Sequence, residues 1–233
     1  MAKKRIGGSG PEPARTGSAR STSTEGAHSA APFVPDTTNR DKLLAAVQKC
    51  TGCDLYKNAT QAVFGEGPPG ARVMFIGEQP GDQEDQQGKP FVGPAGALLD
   101  KALADAGIPR DDVYVTNAVK HFKWEPRGKR RIHKKPRISE IEACRPWLEA
   151  ELHAVKPAVV VCLGASAAQA VLGPQFKLMQ NRGQVHTSPL AERVIATIHP
   201  SAVLRAPDSE GRRLAYQMLV DDLTVVARLI RKR

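Results

Sequence analysis

Four short apolar runs punctuate the chain, at Val73 to Ile76, Val113 to Val119, Ala158 to Leu163 and Arg193 to Ile198. They are too short for ordinary helices and too uniformly apolar to alternate, so they predict strands of a parallel sheet buried on both faces. The segments between them carry apolar residues at helical spacing. Leu98, Leu99, Ala102, Leu103 and Ala106 line one face of a helix that begins near Pro94 and stops at Gly107. Ser139 and Glu142 read as a capping box ahead of Ile141, Cys144, Leu148, Leu152 and Val155. A short helix from Ala165 to Leu172 is closed by Gly173-Pro174, and Leu214, Met218, Val225 and Ile230 mark an amphipathic helix at the end. Upstream, Leu43, Leu44 and Val47 fall on one side of a short helix that leads to Cys50 and Cys53. Strands that alternate with helices in this way predict a three-layer α/β/α domain around a four-stranded, mostly parallel sheet.

Composition adds two regions to that picture. Residues 1 to 36 are rich in Gly, Ser, Thr, Pro and Ala with scattered basic residues, and they predict a disordered basic tail ahead of a domain spanning 37–233. Between Lys120 and Arg137 stand nine Lys or Arg and one acid, Glu125, so this piece supplies eight of the ten net positive charges. Pro126, Gly128 and Pro136 argue against regular structure there, and a mobile basic loop over 120–137 is expected, with Phe122 and Trp124 packing its root. A charge of +10 and a pI near 9.7 call for a polyanionic partner, nucleic acid ahead of an anionic membrane surface. No apolar run reaches bilayer length, and Lys3-Lys4-Arg5 is not followed by an apolar signal core. The expectation is a soluble, cytoplasmic monomer.

The candidate chemistry sits where the strands end. Val73 to Ile76 runs into Gly77-Glu-Gln-Pro-Gly-Asp82, with Glu84 and Asp85 just beyond. A phosphate-cradling turn avoids carboxylates, so this one is built to face developing positive charge. Asn117 lies near the end of the second run, a glycine turn follows the third, and His199 follows the fourth. Open α/β sheets place their sites at that edge. Four cysteines, Cys50, Cys53, Cys144 and Cys162, occur without a secretion signal, which disfavours disulfides. Four thiolates suit an iron–sulfur cluster or a structural zinc, and the split second pair favours the cluster. A nucleotide-binding Rossmann reading lacks its glycine fingerprint, and Gly88-Lys89 is followed by Pro90 rather than Ser or Thr. With aromatics at 5% of residues, an extended single-strand stacking platform is also disfavoured.

Taken together, Gly77-Glu-Gln-Pro-Gly81, Gly88-Lys-Pro-Phe-Val-Gly-Pro-Ala-Gly96, Val115-Thr-Asn117, the four cysteines, and His199-Pro-Ser201 with Leu204 and Arg205 resemble the uracil-DNA glycosylase superfamily. The branch they resemble is the iron–sulfur one known as family four. Gln79 and the insert Gly128-Lys-Arg-Arg-Ile-His-Lys134 look like the UdgX family within it. The resemblance implies excision of uracil from single- or double-stranded DNA, with Glu78 stabilising the sugar cation and His199 donating to the leaving base. It implies uracil contacts by Gly77, Gln79, Phe91, Asn117 and His199. Gln79 would also help to exclude the competing water. DNA contacts would come from Lys129, Arg130, Arg131, Lys134, Ser201, Leu204 and Arg205. A [4Fe–4S] cluster on Cys50, Cys53, Cys144 and Cys162 is implied as well. From the UdgX likeness follows a covalent bond from His133 to the abasic sugar, the surrounding cations keeping the imidazole neutral. Two other readings are a conventional multiple-turnover glycosylase and a uracil-DNA or single-strand binder without catalysis.

Overall fold

A computed structural model describes residues 1–2 and 28–231. In chain order the helices and strands are α1 (Arg40–Val47), β1 (Val73–Gly77), α2 (Asp82–Gln87), α3 (Pro94–Ala106), β2 (Val113–Asn117), β3 (Trp124–Arg127), β4 (Arg130–His133), α4 (Ile138–Val155), β5 (Val159–Leu163), α5 (Ala165–Leu172), α6 (Leu178–Asn181), β6 (Val185–Ser188), β7 (Ala191–Thr197), α7 (Pro200–Leu204) and α8 (Ser209–Arg231).

The four apolar runs form four parallel strands, fully buried in β1, β2 and β5 because helices cover both faces. Val73, Phe75, Val115 and Val161 point to the layer of α3 and α8, while Met74, Ile76, Val160 and Cys162 point to α4 and α5. The sheet has five strands rather than four, in the order β2-β1-β5-β7-β6. The fifth, β6, pairs antiparallel with β7 at the edge. The chain leaves β1 toward one side of the sheet and β5 toward the other, so the carboxyl ends of β1 and β5 flank a topological switch point. That is where an open α/β sheet leaves a crevice.

Three further expectations are corrected. The basic segment is no structureless loop: β3 and β4 form an antiparallel hairpin, with Trp124 opposite His133 and Arg127 opposite Arg130. Gly128, at φ 59, takes the first position of the two-residue turn, where glycine tolerates the positive φ that a tight hairpin requires. The residue read as a loop breaker is thus the hairpin's turn. Helix α4 starts at Ile138 rather than after Ser139. Its capping carboxylate is Glu140, whose Oε2 accepts the Arg137 N–H at 2.6 Å. Lastly, the tail assigned to residues 1–36 is ordered over its final stretch. Ala30 is buried, donates its N–H to Ala143 O at 2.7 Å, and packs with Phe33 and Val34 against the layer of α1 and α4. The rest of that tail, 3–27, lies outside the described residues. In α1, Leu43 and Val47 are buried but Leu44 faces solvent.

Candidate active site

A cavity of about 750 Å³ opens at the carboxyl ends of β1, β2, β5 and β7, and its lining includes Glu78, Phe91, Asn117, His133, Ser166 and His199. Each strand delivers one polar group because the turn after it is tight. Asn117 is the last residue of β2, pairs with Gly77 of β1, and is buried. Its Oδ1 lies where a Cβ on Gly77 would stand, at 2.3 Å, so only glycine there leaves the amide in place. After β5, Gly164 adopts φ 89, and a Cβ at that position would press to 3.2 Å from His199 Cβ. Phe91 holds a left-handed backbone at φ 57, and its ring lies nearly parallel to that of His199, with centroids 6.2 Å apart. A non-glycine residue held in that region beside a cavity is a strain that the surroundings enforce.

The His199 ring is fixed in one tautomer. The Ser201 backbone N–H donates to Nδ1 at 3.1 Å, so Nδ1 is an acceptor and the proton of the neutral ring sits on Nε2. Burial pushes this imidazole down to about 4, with the Arg205 cation and His133 adding to the effect. At neutral pH His199 is therefore an uncharged donor.

Glu78 is oriented by two partners. The Ser166 hydroxyl donates to Oε2. His133 Nε2 stands 3.5 Å from Oε1, and its side chain is half exposed. Ser166, in the first turn of α5, was not singled out from the sequence. Only the glycine turn ahead of it pointed to that stretch.

The hairpin is clamped rather than free. Gln79 Nε2 donates to Lys123 O at 3.1 Å and Lys134 O at 3.0 Å, and its Oε1 accepts the Lys123 N–H at 3.2 Å. The amide's hydrogen bonds thus go to both roots of the hairpin, while Gln79 also lines the cavity. Arg131 is likewise turned inward. Its Nε meets Asp82 Oδ1 at 2.5 Å, its Nη1 meets Asp85 Oδ2 at 2.6 Å, and its guanidinium lies over the Phe122 and Trp124 rings. It docks the hairpin on α2. Lys134 pairs with Glu125 at 2.9 Å. His133 thus faces the Glu78 carboxylate, in a cavity that Lys135 and Arg205 also line. Phe122 is buried and Trp124 donates to Asn58 O, so both pack the root as expected. Lys129 and Arg130 stay exposed at the tip, and Leu204 and Arg205 project from α7 beside the cavity, with Ser201 spent on His199. If the clamp matters, Gln79→Ala should speed tryptic cleavage within residues 127–135 by about tenfold, from the loss of hydrogen bonds worth about 1 kcal/mol each, and leave the melting transition of the sheet in place. An unchanged cleavage rate would mean that Arg131 alone holds the hairpin.

The cysteines do not form one set. Cys50, Cys53 and Cys144 share the buried layer between α1 and α4, whereas Cys162 lies in β5 among the residues under α5. Burial pushes the Cys144 thiol up to about 12, opposed by the Lys120 ammonium and reinforced by Cys53 and Cys50, while burial alone raises that of Cys162. Among the described residues no three His, Cys, Asp or Glu side chains stand at metal-holding spacing. Cys162 lies apart from the other three, so the cysteines that share a layer are Cys50, Cys53 and Cys144 rather than all four. Counting cysteines could not show this, since a buried strand cysteine counts the same as a ligand. His121 was passed over. It is buried, its imidazole is pushed down to about 4 by burial against an opposing pull from Asp85, and it follows Lys120, whose N–H meets Cys144 Sγ at 3.3 Å.

Comparison with known proteins agrees with this geometry. Residues 64–223 match the Uracil DNA glycosylase superfamily. A type-4 uracil-DNA glycosylase of Thermotoga maritima is 40% identical over 172 residues, covering 73% of this chain and 86% of that protein. One of Archaeoglobus fulgidus is 39% identical over 177 residues, covering 72% and 84%. A type-5 uracil-DNA glycosylase of Thermus thermophilus is 31% identical over 187 residues, covering 72% and 80%. With its cavity at the switch point and relatives of this likeness, the chain belongs to the uracil-DNA glycosylase superfamily, among the type-4 proteins.

Proposed function

We propose that this protein excises uracil from DNA and that His133 then bonds to the sugar left behind. The observation that carries the first part is the convergence of Asn117, Glu78 and His199 on one cavity. A uracil turned out of the stack presents O4 as an acceptor and N3–H as a donor, which the Asn117 amide matches with its donor and acceptor, whereas cytosine offers the reverse. As the bond from N1 to C1′ breaks, the electron pair leaves with the base and charge gathers on O2. The neutral His199 Nε2–H is the donor for that oxygen. The sugar becomes oxocarbenium-like, and the Glu78 carboxylate, oriented by Ser166, stabilises it. Phe91 supplies the apolar wall for the flipped ring, and Leu204 on α7 can fill the place it vacates. Free uracil measured after mixing the protein with uracil-containing DNA tests this part. Its absence would leave a binding protein.

The second part rests on the clamped hairpin, which carries His133 to the Glu78 carboxylate. In that step the lone pair of Nε2 forms the bond to C1′. The proton on Nδ1 is then lost to water, and the uracil anion takes one up from water. Attack by water on the same carbon gives the alternative, a multiple-turnover enzyme, and the half-exposed His133 leaves water a route. Clamping favours the histidine, since a held nitrogen competes at high effective concentration.

Lys129 and Arg130 at the tip are read as phosphate contacts. Replacing both by alanine should lower the slope of log affinity against log salt by about 1 to 2. An unchanged slope would place the tip away from DNA. Cys50, Cys53 and Cys144 are read as donors to an iron–sulfur cluster that ties the segment before β1 to α4, with His121 as the buried nitrogen beside them. A bound cluster would supply cross-linking of that layer and no step of the reaction. Metal analysis should find iron retained in Cys162→Ala and lost in Cys144→Ala. Loss in both would restore Cys162 as a ligand.

A further inference from the structure

Lys120 was counted with the surface cations, yet its side chain is fully buried, and so is that of Glu151. Each of its three N–H groups has an acceptor: Thr116 Oγ1 at 2.8 Å, Asn117 O at 2.7 Å, and Glu151 Oε2. Glu151 Oε1 in turn accepts from Gly65 N at 2.8 Å and from the Tyr114 hydroxyl at 3.0 Å, and the Thr116 hydroxyl lies 3.0 Å from it. A buried ion pair is a poor device for stability alone, because apolar residues of similar volume serve as well or better. What distinguishes this one is where it acts. The ammonium grips the carbonyl of the residue that would read the base. The next two N–H groups along the chain, those of Ala118 and Val119, donate to Gly77 O at 2.9 Å and Glu78 O at 3.1 Å.

From this geometry we infer that Lys120, held by Glu151, is a positioning residue for base recognition. It locks the peptide after Asn117, and through the Ala118 and Val119 amides that same segment sets the backbone under Gly77 and Glu78. The base-reading amide and the carboxylate are thereby kept in register on two adjacent strands. The Lys120 N–H to Cys144 Sγ anchors the other side of this residue to the cysteine layer. The inference deepens the uracil-excision reading and rests on it.

The test uses the full chain and the double variant Lys120→Met/Glu151→Gln, which removes both charges together while the glutamine oxygen keeps the Gly65 and Tyr114 contacts. Three quantities are read: single-turnover uracil excision, inhibition by free uracil, and affinity for DNA carrying a tetrahydrofuran abasic mimic, which has no base for Asn117 to read. Excision and uracil inhibition should each weaken by about 10-fold or more, with abasic-DNA affinity unchanged. In an Asn117→Ala background the same double change should cost excision clearly less than it does in the parent. Parental excision in the double variant, an equal loss of abasic-DNA affinity, or a full additional loss in the Asn117→Ala background would each overturn the proposal. So would failure of both the double variant and Glu151→Gln to fold, since the pair would then serve stability. A parent protein that releases no uracil would instead refute the excision reading itself.

Discussion

His133→Ala should lose all of the heat- and detergent-resistant protein–DNA conjugate and still release uracil. The two effects separate because the groups proposed to break the glycosidic bond are not on the hairpin. Asn117, Glu78 and His199 come from the ends of β2, β1 and β7, and Ser166 from α5 keeps Glu78 oriented whether or not His133 is present. In the proposed reaction His133 enters only once C1′ is electron-poor. Its Nε2 is held near Glu78 by the strand pairing of Trp124 with His133, by the Gln79 amide on both roots, and by Arg131 on Asp82 and Asp85. With the imidazole gone, water takes its place, and released uracil should exceed the protein in molar terms. A denaturing gel of each protein with a uracil-containing single strand reads the first effect, and uracil quantification reads the second. A conjugate persisting in His133→Ala would move the nucleophile elsewhere.

His199→Ala should reduce the single-turnover excision rate by about 100- to 1000-fold, with DNA affinity nearly level. The donor contact strengthens only as charge develops on O2, so its removal is felt in the transition state more than in the ground state. Ser201 fixes the ring with Nε2–H available, and among the described residues no other ring nitrogen lines the cavity except that of His133. The pH dependence follows from the direction of the shift. Folded His199 titrates near 4, below its ordinary 6.5, so between those values the unfolded chain binds a proton that the folded one does not. Stability from this group is complete above about pH 6.5 and is lost as pH falls toward 4. Removing the imidazole should flatten that part of the stability profile, measured by thermal melts across the window. A loss of DNA affinity equal to the loss in rate would make His199 a structural residue.

The strand-borne part of this site was legible because its signals are local. A continuous apolar run announces a buried parallel strand, and Glu78, Asn117 and His199 each stand at or just past the carboxyl end of one, Glu78 after the glycine that closes the first. What escaped was set by partners distant in the chain. β6 is four residues long, half exposed and antiparallel, so Val185 and Thr187 carry too little pattern to mark a strand before β7 supplies the ladder. Pro126 and Gly128 looked like breakers, but in a two-stranded hairpin the glycine is the turn and the proline sits opposite Arg131 in an exposed ladder. Lys120 looked like one more cation, and only the carboxylate of Glu151, from a helix 31 residues away, makes its burial affordable. That Gln79 and Arg131 also hold the hairpin could not be read either, because nothing local marks a side chain whose partners lie far along the chain.

The most direct measurement is uracil released per protein molecule, followed over time with uracil-containing DNA in large excess. If cleavage is followed by capture on His133, release should level off at about one equivalent as the protein becomes attached. Continued linear release far beyond one equivalent would contradict the capture step, and no release at all would contradict the assignment of Glu78, Asn117 and His199 to excision.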